Sequence, residues 1–102
     1  MKILVLGGSG FLGSFIADAL SKKGHKVKIF DKKKSRWLKN NQKMYIGDIL
    51  NFKSLEKAIK GNQIIYNFAA LSDLDEAKNK PIDTVKSNIL GTTNALVLSK
   101  KY

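Results

Sequence analysis

Apolar and polar positions along this chain follow two different periods, and the switches between them mark out its elements. Ile3-Leu4-Val5-Leu6 is an unbroken apolar run, which predicts a strand buried on both faces over residues 2–6. From Phe11 the spacing turns helical. Phe11, Leu12, Phe15, Ile16, Ala19 and Leu20 make one stripe of the kind that faces a core, which predicts a helix over 11–23. Lys22 and Lys23 followed by Gly24 are a helix stop, with cations at the negative end of the dipole. Residues 26–30 read as a short strand ending at Asp31, and Met44-Tyr45-Ile46 as a third, closed by Gly47-Asp48. Between them, 32–42 is polar and basic, with a turn of helix predicted around Trp37-Leu38. Asn51 is the expected N-cap of a helix over 52–60, with Leu55, Ala58 and Ile59 inward and Gly61 as terminator. Gln63 to Phe68 is a fourth strand that flows into Ala69-Ala70. Residues 72–80 are polar and show no period. Pro81 suits the first turn of a last helix running to the C-terminus, with Val85, Ile89, Leu96 and Val97 on apolar positions.

Strands alternating with helices imply an α/β fold: a parallel sheet of right-handed βαβ units, flanked by helices, with expected strand order 3-2-1-4. Such a sheet takes ligands beyond the carboxyl ends of its strands, at the switch point between the first and fourth. Four informative spots fall at or just past those ends: Gly7 to Gly13, Asp31, Asp48, and Asn67-Phe68-Ala69-Ala70.

Composition narrows the chemistry. The 102 residues allow one domain at most, and 43% hydrophobic content is ordinary for a globular chain. With no cysteine there is no disulfide, thiolate metal site or thiol nucleophile, and a lone His25, read as a surface residue, builds no histidine cluster. No apolar run approaches the roughly 20 residues that span a bilayer, so no membrane partner is expected and a cytoplasmic location is the default. The net charge is +11, and all but one of the 19 basic residues are lysines. They are scattered rather than striped with arginine and aromatics, so a solvated surface is the preferred reading over a nucleic-acid face. A positive field that draws in anionic substrates is a third reading.

Gly7, Gly10 and Gly13, spaced G-x-x-G-x-x-G between strand and helix, are the candidate seat of a pyrophosphate. The first N–H groups of the helix, at Phe11 and Leu12, face that negative charge. This is not a Walker loop, because Ser14 stands where its lysine should be. The plainer alternative is a tight turn with close helix packing. Asp31, 18 residues past Gly13, is placed to accept hydrogen bonds from an adenosine ribose and to repel a 2′-phosphate. The run Lys32-Lys33-Lys34-Ser35-Arg36 pulls the other way, so NAD is favoured and NADP stays open. Asp48 with Ile49 could sit by the adenine amino group and cover the ring, or simply close a turn. Ser9 could add a hydroxyl to the phosphate site. Trp37 reads as packing, and Asn88 lies on a helix with an apolar opposite face.

These stations together resemble the extended short-chain dehydrogenase/reductases, the NAD-dependent epimerase/dehydratase family that acts mainly on sugar nucleotides. Gly7-Gly8-Ser9-Gly10-Phe11-Leu12-Gly13 is similar to the family's T-G-G-x-G-F-[IL]-G, with Leu6 in place of the threonine. Asp31 resembles the acid that ends the family's second strand, and Gly47-Asp48-Ile49 its adenine-pocket G-D-[ILV]. Asn67-Phe68-Ala69-Ala70 resembles the segment whose backbone lines the cofactor near the nicotinamide ribose, and Asn88-Ile89-Leu90-Gly91-Thr92 the N-[VI]-x-G-[TS] that buttresses the active site. The resemblance implies a Rossmann-type fold, here incomplete: residues 1–102 cover part of an NAD(P)-binding domain, without its C-terminal strands and substrate lobe. It implies a nucleotide-sugar substrate for the parent protein.

The family's Tyr-x-x-x-Lys pair is not found. Tyr45 and Tyr66 are followed four positions on by Ile49 and Ala70, and Tyr102 is the last residue. The segment alone is therefore expected to be inactive, with no catalytic residue of its own. The open edge of the fourth strand is expected to invite self-association. Two other functional classes stay in view: a non-catalytic dinucleotide-sensing module, and a basic nucleic-acid-binding protein.

Overall fold

A computed structural model of the chain describes residues 1–69, 82, 88 and 90–102. Strands β1 (Lys2–Leu6), β2 (Lys26–Asp31), β3 (Gln42–Ile46) and β4 (Ile64–Asn67) form one parallel sheet in the order β3-β2-β1-β4. Helices α1 (Phe11–Lys22), α2 (Phe52–Ile59) and α3 (Gly91–Lys101) pack on its faces. The alternation of strands and helices and the expected strand order are both observed. In register, Leu4 lies beside Lys28 on one side and Ile65 on the other.

Strand β1 is central, so all of Ile3 to Leu6 is buried, and its side chains feed two cores. Ile3 and Val5 join Val27 and Ile29 under Ala17 of α1. Leu4 and Leu6 join Phe30 under Ile49, Leu55, Ala58 and Ile59 of the α2 region and Ala95 and Leu98 of α3. Helix α2 begins as expected: the Asn51 Oδ1 accepts the Ser54 N–H at 3.1 Å, and Leu55, Ala58 and Ile59 face inward.

Helix α1 is rotated from the expected stripe, of which Leu20 still packs against the core. Its buried face is Gly13, Ser14, Ala17 and Ser21, while Phe11 (83% exposed), Phe15 (68%) and Leu12 (57%) point to solvent. The reason is distance. A Cβ on Gly13 would lie 2.3 Å from the Gly7 carbonyl oxygen, so the start of the helix is pressed against the glycine turn and turns its small residues inward. In α3 the apolar positions Leu96 and Val97 are likewise exposed, and Ala95 and Leu98 face the core. Val85 and Ile89, and the expected helix start at Pro81, lie outside the described residues.

No helix forms around Trp37-Leu38, where the backbone is turn and irregular. Strand β3 starts two residues earlier than its apolar run, at Gln42. That buried amide donates to Asp18 Oδ1 and Ser21 Oγ, both at 3.0 Å, and accepts the Lys39 N–H at 3.1 Å. Helices α2 and α3 are tied at the surface by Glu56, whose Oε2 accepts the Tyr102 hydroxyl at 2.9 Å and Lys101 Nζ at 3.3 Å. These two bonds, Tyr102 first, hold the Glu56 carboxyl below its usual range. Among the described residues no helix is long and apolar enough to cross a membrane.

Candidate dinucleotide site at the strand ends

The carboxyl ends of β1, β2, β3 and β4 place the glycine turn, Asp31, Asp48 and Phe68-Ala69 along one edge of the sheet. Gly7 takes a φ of +77°, a conformation other residues rarely adopt, and its N–H still reaches the Phe30 carbonyl at 2.8 Å. A Cβ there would lie 2.6–2.7 Å from the backbone of Phe68 and Ala69. The first turn of the chain and the end of β4 therefore touch backbone to backbone, two site elements more than fifty residues apart in sequence brought into contact.

Gly10 differs from its neighbours. Its φ is −75°, open to any residue, and a Cβ would meet only the Gly7 carbonyl oxygen at an ordinary 3.6 Å. Nothing within the described residues calls for glycine there. It is the N-cap of α1, and no side chain caps that helix. The N–H groups of Phe11, Leu12 and Gly13 precede the first helical bond, from the Ser14 N–H to the Gly10 carbonyl at 2.9 Å. An exposed spot with no side chain in front of unclaimed N–H donors suits an anionic group that needs the backbone close. The residues present fit the pyrophosphate of a dinucleotide.

Asp31 stands beside this turn. Its Oδ2 accepts the Ser9 N–H at 3.0 Å and its Oδ1 the Lys32 N–H at 2.7 Å, which locks the carboxylate in place. A carboxylate offers about four lone-pair sites, so two ribose hydroxyls can still donate to it. The Ser9 hydroxyl donates to the Lys33 carbonyl, pinning the glycine turn to the lysine run.

Asp48 closes the turn after β3: its Oδ1 accepts the Leu50 N–H at 2.9 Å, while its Oδ2 lies 3.6 Å from Lys32 Nζ. Ile49 is 5% exposed and sits in the core, against Gly91, where a Cβ would lie 2.6 Å from its Cγ2. Its side chain is spent on packing rather than held open to a ring. The Lys32–Asp48 contact was not legible in the sequence, since the two are sixteen positions apart on neighbouring strand ends.

Phe68 and Ala69 follow β4. The Phe68 N–H extends the ladder to the Leu6 carbonyl at 2.8 Å, and the Ala69 N–H donates to Asn67 Oδ1 at 3.0 Å. Ala70 lies outside the described residues. Asn88 is half-buried just ahead of α3, its carbonyl accepting the Thr92 hydroxyl at 2.8 Å. His25 is away from this edge, its Nδ1 3.1 Å from the N-terminal amine, and Trp37 is an exposed loop residue.

Comparison with known proteins agrees with this geometry. Residues 3–102 match the family model described as the NAD dependent epimerase/dehydratase family. A UDP-glucose 4-epimerase from Rickettsia rickettsii is 31% identical over 106 residues, covering 92% of this chain and 31% of that protein. The crystal structure of the Thermotoga maritima UDP-glucose 4-epimerase with UDP-glucose superposes with a TM-score of 0.92 at 30% identity, over 100% of this chain and 35% of the other. The Thermus thermophilus UDP-glucose 4-epimerase in complex with NAD also gives 0.92, at 25% identity, over 100% and 34%. The chain thus spans about a third of the length of these relatives. With its glycine turn, its carboxylate at the end of β2 and its parallel sheet in the order 3-2-1-4, the chain belongs to the NAD-dependent epimerase/dehydratase family.

Proposed function

We propose that this chain is the NAD-binding portion of an oxidoreductase-type enzyme that acts on a nucleotide sugar. The observation that carries the reading is Gly10: a glycine with no conformational or packing need among the described residues, in front of an uncapped helix. In this reading the N–H groups of Phe11, Leu12 and Gly13 hold the pyrophosphate, and Gly10 lets it approach. Asp31 takes the adenosine ribose hydroxyls, and Asp48 lies at the adenine end. The backbone of Phe68 and Ala69 runs toward the nicotinamide ribose, and Asn88 steadies the segment behind it.

The bound cofactor would supply reversible hydride transfer at a sugar hydroxyl. The residues of this chain bind it and fix its orientation. They include no Tyr-x-x-x-Lys pair to move the proton, so these 102 residues account for cofactor binding and not for turnover. The nucleotide-sugar substrate is supported by relatives named as UDP-glucose 4-epimerases, one of them solved with UDP-glucose. NAD is supported by the family description and by the NAD-bound neighbour.

Calorimetric titration of NAD and NADP into the chain and its Asp31→Ala variant tests the assignment. NAD is expected to bind, and Asp31→Ala to weaken NAD far more than NADP, because the carboxylate serves the free ribose and repels a 2′-phosphate. Equal losses would remove the ribose role. No binding of either nucleotide would remove the site.

A further inference from the structure

The adenosine end of the site carries a charge arrangement that the glycine turn and Asp31 do not explain. Strands β2 and β3 end side by side, with Asp31 opposite Ile46, so Lys32 and Asp48 emerge on adjacent loops. Asp48 is the fixed member: its Oδ1 is held by the Leu50 N–H at 2.9 Å, which points Oδ2 at Lys32 Nζ, 3.6 Å away. Lys32 is the movable member, 61% exposed against 41% for Asp48, with its backbone N–H anchored on the Asp31 carboxylate. The cation beside the ribose-binding acid is thus already engaged.

We infer that the Lys32–Asp48 ion pair helps set cofactor choice, by withholding from a 2′-phosphate the cation best placed to neutralise it. The inference rests on the dinucleotide reading above. A 2′-phosphate adds between about one and a half and two negative charges at neutral pH. Here it would arrive next to the Asp31 carboxylate. To meet it, Lys32 must first leave Asp48, which then stands as a second unpaired carboxylate nearby. NAD asks for none of this, so the pair penalises NADP alone. Freed from Asp48, the same lysine becomes a phosphate partner, and the site tolerates NADP better.

A double-mutant cycle on the full chain separates these roles. NAD and NADP dissociation constants are measured at low ionic strength for wild type, Asp48→Asn, Lys32→Met and the double variant, and only the NADP-to-NAD ratio is compared. The amide of the Asp48→Asn variant keeps an oxygen for the Leu50 N–H, and any loss of adenine contact affects both nucleotides and cancels in the ratio. Asp48→Asn is expected to shift the ratio toward NADP by about threefold, the scale of an exposed ion pair. Lys32→Met leaves Asp48 unpaired and should move the ratio away from NADP by no more than that factor, and the double variant, which has neither charge, should return close to wild type. An unchanged ratio in Asp48→Asn overturns the inference. So does a double variant shifted as far from wild type as Asp48→Asn, which would assign the shift to the Asp48 charge alone. A gain of NADP preference in Lys32→Met would show that the lysine does not offset the Asp48 charge, and also overturns it. These outcomes leave the dinucleotide reading standing; binding of neither nucleotide removes both.

Discussion

Gly10 and Gly13 stand three residues apart in one turn, yet alanine at each should do opposite things. At Gly13 the new methyl would lie 2.3 Å from the Gly7 carbonyl oxygen, 2.9 Å from the Gly8 Cα and 3.0 Å from the Gly7 carbonyl carbon. All three are backbone atoms, so relief requires α1 to lift from the sheet and expose the packing of Ala17 on Val5 and Ile29. Overpacking of this kind costs about 1–3 kcal/mol, partly offset by up to about 1 kcal/mol from the better helix propensity of alanine. A net loss of about 1 kcal/mol lowers the melting temperature by roughly 4–8 °C in a domain of this size. At Gly10 the methyl meets one atom at 3.6 Å with φ at −75°. The unfolded chain loses freedom, worth about 0.4–1 kcal/mol in stability, and the poorer N-cap costs about as much, so stability should stay near wild type. The methyl would occupy the place where the pyrophosphate must come close, so NAD affinity should fall about tenfold or more. Thermal unfolding by circular dichroism and calorimetric titration of NAD read the two effects separately. Undiminished NAD affinity in Gly10→Ala would refute the pyrophosphate seat. An unshifted melting temperature in Gly13→Ala would refute the close-packing argument.

Three further outcomes can be checked. Gln42→Leu should lose about 1–3 kcal/mol in urea unfolding, because the buried amide serves Asp18, Ser21 and the Lys39 N–H, and leucine serves none of them; a neutral result would mean water replaces it. Strand β4 is an edge of the described sheet, with Tyr66 38% exposed and stacked on Phe68, so self-association is expected at high concentration and should be suppressed in Tyr66→Lys. Sedimentation velocity decides this, and a wild type that stays monomeric throughout would refute it. Glu56 titrates below its unfolded value, so its tie to α3 contributes above the ordinary carboxylate range and is lost as pH falls through the depressed value. Glu56→Gln should therefore flatten the acid limb of the stability profile; a limb of unchanged shape would assign it to other carboxylates.

Strand positions, strand order and the N-cap at Asn51 were legible because each rests on local rules. An unbroken apolar run, a glycine-spaced turn and an Asn before a helical period mean nearly the same thing in any globular chain. The meeting of the glycine turn, Asp31, Asp48 and Phe68-Ala69 was legible for a related reason: a parallel sheet of this order puts its strand ends together. The face of α1 was not. Its large residues advertise a core stripe, but the helix starts so close to the Gly7-Gly8 turn that Gly13, Ser14, Ala17 and Ser21 form its buried face. Leu96 and Val97 misled in the same way. The start of β3 at Gln42 was hidden because a polar residue becomes a buried strand residue only when distant partners satisfy it.

Local pattern by itself thus determined where the four strands and the helices after the glycine turn and Asn51 lie, how the strands are ordered, and which glycines and carboxylates stand at the strand ends. Tertiary structure alone decided which side of α1 is buried, that Ile49 belongs to the core, and that Lys32 is claimed by Asp48. The first set depends on neighbours within a few residues along the chain. The second depends on how near two elements approach and which charges meet, distances that arise only when separate segments pack.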